Sequence, residues 1–308
     1  MYLDKEIYAE SEREMVEYLN SHYEYCYLQS MHYLNSRQKT NTIITGLSYG
    51  LDGLESTLLN GNVLNFSMHS QDLYYDFLHI KKAVEESENS ISQCVLTMGY
   101  YSLFYDLSLS NNGWKCLETY GPLFGDMHNA NTTNVDMSYF MCDVDCENFY
   151  HSFFEKNRSY YGPAITREYT SIEISEKGGW SELESAEKDS VAYELAQKHN
   201  KHIKHEETFK ENKEILNNIL KFLKEKNIRV IVLILPFSKE YLKYIDCNYK
   251  TILLSVLDEL TYDMEVDFVD MNDMEYFSEA DFLDSDHLNY KGALKATVLL
   301  NGVLNHLF

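Results

Sequence analysis

Apolar residues in this chain cluster into short runs, and between the runs they recur at helical spacing. Asn41-Thr-Ile-Ile-Thr45, Asn62-Val-Leu-Asn-Phe66 and Ser92-Gln-Cys-Val-Leu-Thr-Met98 have the length and composition of strands. Leu73, Phe77, Ile80 and Val84 fall between the second and third runs and predict a helix over residues 71–86. Met15, Leu19, Tyr23, Tyr27 and Met31 predict an amphipathic helix over residues 11–34, ahead of the first strand. Residues 182–226 read as helix broken near 205–208, with Ile215, Ile219, Phe222 and Leu223 on one face of the second half. The run Ile228-Arg-Val-Ile-Val-Leu-Ile-Leu235 has the near-continuous apolarity of a central strand buried on both faces, and Pro236 ends it. Val266-Asp-Phe-Val-Asp270 is the last predicted strand, and Asn289 is placed to cap a closing helix over residues 290–304.

Strand and helix alternating at short intervals is the signature of parallel β-α-β units. The expected fold is a three-layer α/β/α sandwich around a mostly parallel sheet of about five strands, one domain over residues 1–308. The pattern dissolves between residues 111 and 179, where Asn111-Asn-Gly113, Gly121-Pro122, Asn129-Ala-Asn-Thr-Thr-Asn134 and Gly178-Gly179 are turn-rich. A structureless loop of that length is improbable inside a compact domain. Residues 110–195 are therefore read as an insertion of short helices and turns over the active-site face, either a lid that selects substrate or else an interface or plain surface elaboration.

A chain of 308 residues, 44% hydrophobic, buries a large core. Its net charge of −23 argues against nucleic acid or an anionic membrane surface as partner and favours a neutral substrate. The start, Met1-Tyr-Leu-Asp-Lys-Glu6, lacks the basic and apolar regions of a signal peptide, and no apolar run is long enough to span a bilayer. A cytoplasmic location is the expectation. The six scattered cysteines fit a reducing compartment, and Cys142-Asp-Val-Asp-Cys146 lacks a second pair to complete a zinc site.

Two motifs at opposite ends of the chain carry chemistry. Gly46-Leu-Ser48-Tyr-Gly50 follows the first strand, where a tight turn lifts a serine hydroxyl out of the sheet. Asp284-Ser-Asp-His287 lies after the last strand, and its spacing lets Asp284 reach the far ring nitrogen of His287. A serine needs such a base to become a nucleophile. Asp286 and Asp281 compete for the orienting role, with spacing preferring Asp284 and with Asp286 expected to point elsewhere. His199, His202 and His205 recur every third residue among lysines, which on a continuous helix drifts off one face and reads as a solvated surface rather than a metal site.

A serine after the first strand paired with a late Asp-x-x-His resembles the SGNH (GDSL-like) hydrolases, most of all their carbohydrate-associated branch, which includes proteins of alginate acetylation and teichoic-acid D-alanylation. The α/β-hydrolase elbow has a similar turn but follows several strands, whereas here at most one helix precedes Thr42. The resemblance implies Ser48 as nucleophile, His287 as general base, Asp284 as its partner, and no cofactor or metal. It also implies an oxyanion hole built from the amide after Ser48, that of Tyr49, and from groups after the second and third strands. The chain departs from the family there: Asn65-Phe-Ser67-Met-His-Ser70 stands where a glycine is usual, and Gly99-Tyr-Tyr101 replaces Gly-x-Asn. Ser70, Gln71, Gly99 and Asn200 are the candidate replacement donors. The implied function is a serine esterase or O-acyltransferase acting on a small acyl ester, such as acetyl on a sugar or glycan precursor. The alternative is a catalytically silent protein of the same fold that binds or scaffolds in polysaccharide assembly. Oligomeric state is not legible in the sequence.

Overall fold

The computed structural model describes residues 40–87, 90–131 and 179–306. The predicted helix over residues 11–34 and the Cys142–Cys146 pair lie outside the described residues. Five strands, β1 (Thr42–Gly46), β2 (Val63–Asn65), β3 (Gln93–Met98), β4 (Arg229–Ile234) and β5 (Val266–Asp270), form one sheet. Every pairing is parallel and the order is β2-β1-β3-β4-β5. The sheet is the one expected, within a residue or two at each strand end. In this order the connections on either side of β1 run in opposite directions, which opens a crevice at the carboxyl ends of β1 and β3.

Helix α1 (Ser48–Gly53) leaves β1 directly, and α2 (Leu73–Glu86) leads to β3. The Asp72 side chain caps α2 by accepting from the Tyr75 amide at 3.2 Å. The long helical stretch is α3 (Ser185–Asn200), a 3₁₀ turn (Lys201–Lys204) and a break at His205, followed by α4 (Glu206–Glu225). Two helices that the periodicity did not single out, α5 (Lys239–Tyr244) and α6 (Asn248–Leu260), cross from β4 to β5. The closing helix α7 (Tyr290–Leu304) starts at Asn289, whose side chain accepts from the Gly292 amide at 3.0 Å. Helices α2, α4 and α6 pack side by side, while α7 packs on α1. Ile231, Val232, Leu233 and Ile234 of β4 are wholly buried, as a strand covered on both faces requires.

Residues 111–131, in the stretch expected to be an insertion, fold back on the turn that follows β2. Asn112 Nδ2 donates to Ser70 Oγ at 2.7 Å, Lys115 Nζ to the His69 carbonyl at 2.8 Å, and the Tyr120 hydroxyl to Gln71 Oε1 at 3.0 Å.

Beneath the end of β1 lies a buried polar knot. Asp76 Oδ1 accepts from Thr45 Oγ1 at 2.6 Å and from Gln71 Nε2 at 2.7 Å. Burial outweighs these hydrogen bonds and lifts the Asp76 carboxyl from 3.8 to about 7. A carboxyl whose pKa is raised on folding binds more protons in the native state, so its contribution to stability falls as pH rises from about 4 to about 7. Asp76→Asn should remove that decline: urea denaturation of the variant, followed from pH 4 to 8, is expected to show a flatter stability profile than the parent. An unchanged slope would disprove the assignment.

Candidate active site

The glycines of the first motif are required by close approach. A Cβ on Gly46, whose φ is +142°, would lie 2.0 Å from the Thr97 carbonyl oxygen of β3. One on Gly50 would lie 2.3 Å from Thr97 Oγ1 and 2.4 Å from Ser67 Oγ. Glycine at both positions lets α1 begin hard against β3 and the turn that follows β2. Ser48 is thereby set in the first turn of α1, where amides have no acceptor within the helix. The N–H groups of Ser48 and Tyr49 therefore stand as the first candidate oxyanion donors.

The second motif is held as a closed loop. Phe282 and Leu288 form an antiparallel bridge, the Leu283 amide donates to the His287 carbonyl at 2.9 Å, and the Ser238 amide after β4 donates to the Ser285 carbonyl at 3.0 Å. Inside the loop Asp284 Oδ1 accepts from the amides of Asp286 (3.0 Å) and His287 (2.7 Å). This clasp carries His287 back over the sheet to β1, where its Nε2 lies 2.8 Å from Ser48 Oγ. Its Nδ1 lies 3.1 Å from each oxygen of Asp284. Ser48, His287 and Asp284, read from opposite ends of the sequence, thus converge at the carboxyl edge of the sheet.

Asp286 does not point elsewhere, contrary to the expectation from the loop sequence. Its side chain turns inward, with Oδ1 3.2 Å from His287 Nδ1 and Oδ2 accepting from the Tyr49 hydroxyl at 2.9 Å. The reason is the ring of Tyr49, wedged between His287 (centroids 5.3 Å apart) and Phe237 (5.0 Å), which presents its hydroxyl to that carboxylate. Asp281, the other competitor, is spent elsewhere: it accepts from Ser278 and Lys295 at the start of α7.

Burial alone would depress the His287 pKa, but the Asp286 charge and the hydrogen bonds to Asp284 outweigh it and hold the imidazole well above its usual value. Reciprocally, burial opposes ionisation of Asp286, and the His287 charge with the Tyr49 hydrogen bond overcomes it, so the carboxyl is held below its usual range. Burial, then the Asp286 charge, keeps the Tyr49 phenol protonated.

The remaining oxyanion candidates are drawn into other contacts. Gln71 Nε2 donates to Thr45, Phe66 and Asp76 in the core. Asn200 Nδ2 donates to the Tyr244 carbonyl at 2.9 Å while its Oδ1 accepts from the Asp246 amide at 2.8 Å. Ser70, at φ +63°, has its hydroxyl on Asn112. The Gly99 amide donates to Ser102 Oγ at 2.9 Å. Tyr101, in the position of the usual asparagine, is buried with its hydroxyl 3.1 Å from that of Tyr49.

His199 is also a correction. It stacks on Tyr101 at 4.3 Å and its Nδ1 lies 2.6 Å from the Tyr241 hydroxyl, so this face is packed, not solvated. The helix tightens into a 3₁₀ turn after Asn200, and three residues per turn brings His202 round to the same side, 5.7 Å from the Tyr101 ring.

Two groups have ligand atoms close enough to share an ion: Asp284, Asp286 and His287, and Asp72, Asp106 and His128. In the first, the carboxylates face Nδ1 and Nε2 faces Ser48. In the second, Asp72 accepts from the amides of Tyr75 and Leu107, Asp106 accepts from Ser108 and Asn129, and His128 Nε2 meets Glu211 at 3.2 Å. Both sets are thus engaged in protein contacts. A cavity of about 810 Å³ opens at the ends of β4 and β5, with Trp180, Phe237, Met271, Phe277 and Phe282 among its walls. Among the described residues, no helix is long and apolar enough to cross a membrane.

A protein-family profile matches residues 183–308, the part that carries β4, β5 and the His287 loop. Comparison with curated proteins finds no match. Among solved structures, a candidate acylhydrolase from Bacteroides fragilis is similar with a TM-score of 0.42 and 11% identity, covering 92% of this chain and 98% of that one. A GDSL-like lipase from Bacteroides thetaiotaomicron gives 0.41 and 9%, covering 92% and 100%. A candidate platelet activating factor from Streptococcus pneumonia gives 0.42 and 11%, covering 94% and 97%. GDSL-like lipase and acylhydrolase folds thus stand among the solved structures that this chain resembles.

Proposed function

We propose that the chain is a serine esterase or O-acyltransferase that works through an acyl-enzyme on a small acyl ester. The observation that carries this reading is the 2.8 Å contact between Ser48 Oγ and His287 Nε2, with carboxylates on the opposite ring nitrogen. With Nδ1–H donated to a carboxylate, neutral His287 has Nε2 free to accept the serine proton as Oγ attacks the acyl carbonyl. The first-turn amides of α1 face the developing oxyanion. His287 then returns the proton to the leaving alcohol, and water or a sugar hydroxyl releases the acyl group by the same steps in reverse. An acetylated sugar or glycan precursor is the substrate favoured by the resemblance of the two motifs, and the strongly negative chain suits an uncharged ester.

A second reading rests on the third-strand loop. With Tyr101 in place of the asparagine and the Gly99 amide donated to Ser102, this loop offers no further oxyanion donor among the described residues, and one such donor is worth about a hundred- to a thousandfold in turnover. That observation favours a slow enzyme or a silent binder of the same fold.

Labelling with a fluorophosphonate separates the two. The parent protein is expected to form a covalent adduct on Ser48, and Ser48→Ala to lose it together with p-nitrophenyl acetate hydrolysis, about a thousandfold or more. No adduct with the parent, alongside glycan binding, would establish the silent reading. An adduct that persists in Ser48→Ala would refute the nucleophile assignment.

The pH dependence follows from the same geometry. General-base catalysis needs neutral imidazole, and the carboxylates hold His287 protonated above its ordinary 6.5. The kcat/KM for p-nitrophenyl acetate is therefore expected to rise through an apparent pKa above 6.5 and to level on the alkaline side. A plateau already reached at pH 6 would contradict it.

A further inference from the structure

Two carboxylates face His287 Nδ1, and their surroundings differ. The Asp284 side chain is 46% exposed, and its Oδ1 is already shared with two backbone amides that shape the loop. The Asp286 side chain is 4% exposed, and its second oxygen is held by the Tyr49 hydroxyl, itself backed by Tyr101. At nearly equal distances, 3.1 and 3.2 Å, the two should differ in effect. Water and salt screen the exposed charge, whereas the buried charge acts through a lower effective dielectric.

We propose that Asp286 is the carboxylate that governs the charge on His287, with the Tyr49 hydroxyl fixing its orientation, and that Asp284 chiefly builds the loop. Its catalytic consequence rests on the hydrolase reading; the pairing itself does not. Asp286 is a positioning residue, since it reaches the reacting serine only through His287.

The titratable groups around this pair come from every element packed on it. The loop supplies Asp284 and Asp286, α1 supplies Tyr49, the turn after β3 supplies Tyr101, α3 supplies His199, and α5 supplies Tyr241. Burial lowers His199 to about 4, so it is neutral near pH 7. Burial likewise raises the phenols of Tyr49, Tyr101 and Tyr241 and keeps them uncharged. Among these described groups, the two carboxylates carry the charge that the imidazolium meets. Nδ1 is hydrogen-bonded to Asp284 and lies at ion-pair distance, 3.2 Å, from the inner carboxylate of Asp286, whose charge solvent reaches less readily than that of the outer one.

The test is an NMR titration of full-length protein with ring-labelled histidine, following His287 in the parent, Asp286→Asn and Asp284→Asn. Asparagine is isosteric and its carbonyl still accepts from Tyr49, which preserves the packing. Asp286→Asn is expected to weaken the proton affinity of His287 by at least about tenfold, and Asp284→Asn by less. A larger or equal effect from Asp284→Asn overturns the proposal. Should Asp286→Asn not fold, the parent decides: the Asp286 carboxyl ¹³C resonance is expected to move with the His287 titration more than that of Asp284, and the reverse order overturns the proposal. Fluorophosphonate labelling run alongside keeps the two questions apart. An inert serine with the expected titration order sinks the hydrolase reading and leaves the Asp286–His287 pairing standing. A labelled serine with the reverse order does the opposite. In an active enzyme, the alkaline-rising limb of kcat/KM should shift down with Asp286→Asn in step with the titration midpoint.

Discussion

The close approach of α1 to β3 at Gly46 and Gly50 is the constraint on which the site depends. Neither position has room for a Cβ, because Thr97 and Ser67 already fill the space. That closeness sets Ser48 at the mouth of the crevice between β1 and β3, and it tucks Tyr49 beneath the histidine loop. From there the order of the sheet does the rest: the chain passes through β3, β4 and β5 before a loop returns across the edge to meet the serine. A contact between residues so far apart in sequence is costly in chain entropy. It is met by a loop whose backbone is bonded to itself and to the turn after β4.

Behind the serine and histidine the protein buries polar and aromatic side chains together. Asp286, Tyr49, Tyr101, His199 and Tyr241 form a continuous packed and hydrogen-bonded group behind the imidazole. Burying a carboxylate is unfavourable unless it meets a compensating charge and donors. Here His287 and the Tyr49 hydroxyl are those partners, which ties the protonation of the histidine to the integrity of the group. The same aromatic packing puts the buried Tyr101 ring where the resemblance of the motifs would place an asparagine.

The sequence by itself determined the sheet and the pairing of its two motifs. The apolar runs of β1, β3 and β4 are strong because strands buried on both faces tolerate few polar residues, and the Asp-x-x-His spacing is local, so its geometry is largely set within one loop. The helices α5 and α6 were not singled out from periodicity. The oxyanion candidates Gln71 and Asn200 looked available because a side chain's partners lie far away in sequence. Only the tertiary structure decided that Gln71 knots the ends of β1 and β2, that Asn200 ties α3 to the turn after α5, and that a 3₁₀ turn gathers His199 and His202 over Tyr101. It also decided the direction of Asp286. One residue from the histidine, its side chain had either face of the loop open to it, and the hydroxyl that drew it inward belongs to Tyr49 at the other end of the chain.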